Sequence, residues 1–229
     1  ARSRNPLMSL GIVRRDRFML GVAPQRQTSF GCNMNALRSL LVVFGISLAV
    51  SSPAIADPTL NLTIDDHVGI GFDVDMNAPA GTGLVSYNGV IGNWNVNFAT
   101  GVGVPSISSS EIDLNSINIT NAAGSHHLTI VLTQSGSNLS TGLALFSAVN
   151  SLGGTSPDIA WLACIDATCS PGGSHTGALL GFSANDGWGG SILDASNFTL
   201  RIIIDIFHTG SQATSFNSNL LLASVQRLP

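Results

Sequence analysis

Trp94-Asn95-Val96-Asn97-Phe98 alternates apolar and polar side chains, as does Ile112-Asp113-Leu114-Asn115. After Ser116 the pattern resumes with Ile117-Asn118-Ile119-Thr120. A period of two sends successive side chains to opposite faces, so each run reads as a strand with one buried and one wet face. Asn, Asp and Ser on the wet face are poor strand formers, so burial of the Ile, Leu and Trp face must supply the stability. Further strands are expected at 60–64, 69–74, 84–90, 127–133, 144–149, 158–162, 178–182, 198–207 and 215–225. Turn signals separate them: Ala80 to Gly83, Asn121 to Gly124, Gly153-Gly154, Pro171 to Gly173 and Asn185-Asp186-Gly187. Residues 139–149 read alternatively as a short helix. Arg201 to Phe207 is nearly continuous apolar sequence and reads as a central strand covered on both faces. Many short strands at this spacing predict an all-β fold, an antiparallel β-sandwich with a jelly-roll-like character, in a single domain.

The first 56 residues do not fit this pattern. Arg38, the apolar run Leu40 to Val50, the break at Ser51-Ser52-Pro53 and Ala54-Ile55-Ala56 follow the order of a secretory signal peptide. The run is too short for a bilayer span, which takes about 20 apolar residues. Residues 1–33 carry six Arg against one Asp and show no clear period. They are expected to be a non-native, disordered segment upstream of a start at Met34. The expected organisation is therefore an upstream segment 1–33, a signal peptide 34–56 and one secreted domain 57–229.

Residues 57–229 hold eleven Asp and one Glu against two Arg and no Lys, a formal charge of −10 where the whole chain has −4. Two arginines cannot form the basic footprint that nucleic acid requires, and an anionic membrane surface is disfavoured for the same reason. Cys164 and Cys169, in CIDATC, are the two cysteines of this region and are expected to form a disulfide. So short a loop contributes only about 2 kcal/mol on the chain-entropy argument, which makes the bond a local clip.

Three kinds of site chemistry can be weighed. Asp73-Val74-Asp75-Met76-Asn77 begins like a calcium loop, which makes Asp73, Asp75 and Asn77 the candidate ligands, with Asp65 and Asp66 close by. The glycine at the sixth position and the closing Glu are missing. Trp188 in NDGWGG, taken as a glycine-rich loop, is the candidate sugar-stacking residue, with Asn185 and Asp186 beside it. Glu111 and Asp113 share one side of a strand and could pair as glycosidase carboxylates, although the same spacing describes the wet face of any strand. No nucleophile elbow occurs, and Ser174-His175 is adjacency without triad geometry. His126 and His127 must point to opposite faces, while His67, His175 and His208 are scattered, so no transition-metal site is expected.

Four blocks, IGNWNVNFATGVGVP (91–105), IDLNSINIT (112–120), LTIVLTQSG (128–136) and IFHTGSQATSFNSNL (206–220), resemble in content and order a group of uncharacterised secreted bacterial proteins. Many of that group carry a PEP-CTERM sorting signal. The resemblance implies export from a Gram-negative cell and association with an extracellular polysaccharide matrix. It transfers no functional residues. The final residues, Val225 to Pro229, depart from the Pro-Glu-Pro, apolar helix and basic end of a sorting tail. The expectation is a non-catalytic secreted or cell-surface protein with a structural, matrix-associated or adhesive role. Its partners would be extracellular polysaccharide or other surface proteins. A carbohydrate-binding module and a glycoside hydrolase are the alternatives.

Overall fold

The structure, a computed structural model, describes residues 58–139, 145–177, 181–192 and 194–225. The upstream segment and signal peptide lie outside these residues, as does the start of the strand expected at 178–182. The described chain is all-β. Its strands are β1 (Thr59–Asp65), β2 (Val74–Asn77), β3 (Leu84–Ile91), β4 (Trp94–Val102), β5 (Glu111–Asn121), β6 (His126–Ser137) and β7 (Leu145–Thr155). They continue with β8 (Asp158–Ile165), β9 (Thr168–Cys169), β10 (Gly173–Thr176), β11 (Gly181–Ser191), β12 (Phe198–His208) and β13 (Ala213–Ser224). Among the described residues no helix is long and apolar enough to cross a membrane.

The strands form two antiparallel sheets. The first has the order β10-β8-β12-β6-β1-β2, with β9 paired to the end of β8, and the second runs β11-β7-β13-β5-β4-β3. From β5 to β8, and again from β11 to β13, each strand lies in the opposite sheet to the one before it. This alternation stacks the two sheets into the expected single-domain sandwich. The inward positions are aliphatic. Leu62, Ile64, Ile130, Leu132, Ile202 and Ile204 of the first sheet and Val96, Ile112, Leu114 and Leu220 of the second are all fully buried in one core. The sheets pack closely at Gly101 of β4, where a Cβ would collide with Leu132 Cδ1 of β6. Gly92 makes the two-residue turn from β3 to β4 with Asn93, at φ +50°, a left-handed conformation that glycine adopts without strain.

Several expectations change in the folded chain. Residues 69–73 form a loop, not a strand, with Ile70 and Phe72 exposed. The segment from Leu145 is a strand, not a helix. Gly153-Gly154 and Asn185-Asp186-Gly187 are not turns: they lie inside β7 and β11, which pair without a break from Gly181↔Thr155 to Ser191↔Leu145. Backbone pairing along β7 holds β11 extended in spite of its glycines. β12 is central, between β6 and β8, yet only one of its faces is covered. Leu200, Ile202, Ile204 and Ile206 are buried while Arg201 and Phe207 are exposed. The phase change near Ser116 is a β-bulge. Ser116 turns inward, Ile117 faces solvent, Asn118 takes φ +57°, and the register with β13 shifts between Thr214 and Phe216.

Candidate functional site

The outward face of the second sheet carries rows of amide, hydroxyl and carboxylate groups. Register aligns Thr100, Asn115 and Asn217 in one row, and Asp113, Asn219, Ser151 and Asn185 in the next. Their inward neighbours Ile112, Leu114 and Leu220 are buried, which fixes the direction of these polar side chains. Asn217 donates its amide to Asn115 Oδ1, Asn115 Nδ2 donates to Asp113 Oδ2 (2.6 Å), and Asn219 Nδ2 donates to Glu111 Oε1 (2.7 Å). Ser151 Oγ donates to Asn185 Oδ1 (2.7 Å). Beyond the second row, Leu221 and Val149 stand opposite each other and are both exposed. Burial pushes the Asp113 carboxyl above its ordinary range and the charge of Glu111 adds to the rise, against a lowering hydrogen bond from Asn115. Asp113 Oδ1 is buried without a hydrogen-bond partner.

The structure divides the expected sugar-binding trio. Trp188 is on the edge strand β11, not in a loop, and its ring is half-buried against the core. Asp186 shares that inward face and accepts a hydrogen bond from Trp161 Nε1 of β8 (2.9 Å), tying the two sheets together. Asn185 points the other way, to the outward face. Period-two alternation along β11 is the reason, and it was hidden by the glycines around these residues.

The expected calcium ligands are also regrouped. Asp75 and Asn77 share one face of β2 and both accept from Asn61 Nδ2, at 2.6 and 3.3 Å. Asp73 precedes the strand and accepts from the Asp66 backbone N–H at 2.8 Å. Its carboxylate clusters with those of Asp65 and Asp66, with one oxygen of each within 4.8 Å of the others. Asp65 Oδ1 and Asp66 Oδ1 also accept from the backbone N–H groups of His67 and Val68.

A second group of metal-ligating side chains lies next to this one on the outward face of the first sheet. His67, His127 and Asp205 place one ligand atom each within 4.8 Å of the others. Sequence reasoning missed it because His67 and His127 lie far apart in the chain. The signal that was legible is the opposite orientation of the two neighbouring histidines: His126 packs edge-on to the buried Trp94, while His127 faces out. His208, by contrast, is buried in the core. Its Nδ1 lies 2.6 Å from Asn121 Oδ1 and its Nε2 2.8 Å from Thr214 Oγ1. His175 stacks on Phe182.

Cys164 and Cys169 stand opposite each other on β8 and β9, with their sulfurs at disulfide-bonding distance. The chain matches no family model and no curated protein.

Proposed function

We propose that the protein is a non-catalytic secreted or cell-surface β-sandwich with a structural, matrix-associated or adhesive role. It holds extracellular polysaccharide or another surface protein against the outward face of the second sheet. The observation that carries this reading is the two-row array around Asn115, Asn217 and Asn219, with Val149 and Leu221 alongside. Amides and hydroxyls in register offer donors and acceptors to sugar hydroxyls, and the apolar pair offers a surface to sugar C–H groups. A rigid sheet holds such an array at little entropic cost. Export through the segment before Asp57 is part of the proposal.

Cosedimentation with insoluble matrix polysaccharides, supported by a glycan array, tests it. The double variant Asn217→Ala/Asn219→Ala is expected to lose retention while keeping its circular dichroism spectrum. Trp188→Ala, altered on the inward face, is expected to retain binding if folded. Absence of retention by the unaltered protein, or equal retention by the double variant, would sink the carbohydrate form of the proposal.

A second reading, glycoside hydrolysis, rests on Glu111 and Asp113 sharing the outward face of β5, where burial and the charge of Glu111 raise the Asp113 carboxyl. Release of reducing sugar that disappears in Asp113→Asn would favour it. Binding without release supports the non-catalytic reading.

A further inference from the structure

We infer that His67, His127 and Asp205 form a binding site for a divalent transition cation of the zinc type. The site lies on the opposite sheet from the proposed glycan face and does not depend on it. Strand register builds it. Asp65 of β1 and Asp205 of β12 both stand opposite Thr129 of β6, so three adjacent strands place these side chains in one row on the outward face. The next row along that face holds His127, opposite Phe207, and His67 follows just past the end of β1.

The ligand atoms converge on one point, at present taken by the Thr129 hydroxyl. Thr129 Oγ1 donates to Asp205 Oδ1, lies 2.7 Å from His67 Nε2 and lies 3.5 Å from His127 Nε2. His127 Nε2 is itself 3.2 Å from Asp205 Oδ1. Arms of 2.0–2.1 Å to a tetrahedral zinc set its donors roughly 3.4 Å apart. The three donors therefore need only side-chain rotations to close on an ion once the Thr129 hydroxyl turns aside and the two rings unstack.

The surroundings favour a cation. Asp65 Oδ2 lies 3.9 Å from His67 Nδ1, beyond hydrogen-bond distance, and adds negative charge beside the ring. The His127 ring is held between His67 at 3.9 Å and Phe207 at 4.2 Å. Side-chain exposures of 42% for His67, 34% for His127 and 33% for Asp205 leave the group open to an entering ion and to water in the remaining coordination positions. Asp66 and Asp73 add negative charge nearby, and Arg201 is the sole Arg or Lys among the described residues. Two imidazoles with one carboxylate suit zinc, copper or nickel, whereas calcium takes oxygen ligands.

The test is calorimetric titration of the chelator-stripped full chain with Zn²⁺, paired with the visible absorption of Co²⁺ in the same site. One ion per chain at this site and a Co²⁺ spectrum with nitrogen ligation are expected. Asp205→Asn and His67→Asn are expected to weaken binding by about 10- to 100-fold or more. Asn is chosen at position 67 because it tolerates the left-handed backbone there, φ +60°. Asp73→Asn, which removes a nearby charge but no ligand, serves as the control and is expected to weaken binding far less than either site variant. No Zn²⁺ uptake by the folded protein would overturn the assignment and leave the cluster a hydrogen-bond network. Uptake indifferent to both site variants would overturn it too, as would uptake abolished by Asp73→Asn.

Discussion

His208 shows how one buried side chain sets a property of the whole fold. It is 1% exposed, and burial with the neighbouring His126 pushes its imidazole down to about 4. The unfolded chain, with an ordinary imidazole near 6.5, therefore binds the proton first as pH falls. The contribution to stability is complete well above pH 6.5 and is lost progressively toward about pH 4, amounting to roughly 3 kcal/mol. Urea midpoints measured across that window should fall with pH, and His208→Gln should flatten the slope whatever it does to the midpoint at neutral pH. An unchanged slope would mean that the acid sensitivity arises elsewhere. Asp113 works in the opposite sense. Its raised carboxyl makes the charged form the disfavoured one, so protonating it on acidification adds stability. The role of His208 cannot be read from its neighbours in sequence, since it meets Asn121 of the other sheet only in the folded chain, whereas Asp113 meets Glu111 and Asn115 two residues to either side along its own strand.

Among the elements, β11 is the one whose sequence misleads most. Gly181, Gly187, Gly189 and Gly190 suggest loop, yet the strand pairs along its whole length with β7. Its attachment to the opposite sheet depends on Asp186 and Trp161. Asp186→Ala leaves the Trp161 N–H, 9% exposed as a residue, without its acceptor, at a cost of about 1–3 kcal/mol. Hydrogen exchange should accelerate first in β11, and the urea midpoint should drop. Asn185→Ala, on the exposed side, should change stability by less than about 0.5 kcal/mol. Equal effects from the two would remove the argument for an inter-sheet tie. β12 is the converse case. Its apolar run announced a strand correctly, but composition does not report whether a second layer lies over it. The open face that results is where Asp205 joins His67 and His127.

At the scale of the molecule, charge is the dominant variable. With a formal charge of −10 in residues 57–229 and only His–Asp pairs at ion-pair distance among the described residues, like-charge repulsion has little to offset it. Raising ionic strength from low to physiological should raise the thermal midpoint of a chain comprising residues 57–229, because salt screens exposed charges. A midpoint that falls with salt would show that attractive pairs dominate instead. The same excess of carboxylates over cations bears on both proposed surfaces, since it favours metal ions and neutral sugars over anionic partners.

The amino-acid sequence by itself determined the class of fold, most strand positions, the acidity of the domain and the local Cys164–Cys169 pair. Each is set by short-range physics: a period of two, turn chemistry, composition, or a loop of a few residues. Tertiary structure alone decided which polar residues share a face. It drew Asp73 to Asp65 and Asp66, turned Trp188 and Asp186 inward while Asn185 faced out, and brought His67 to His127 across paired strands. Alternation sets Asn185 opposite to Asp186 and Trp188 once β11 is a strand, but which face each sheet buries, and the register that joins His67 to His127, are fixed only by the packing of segments on one another.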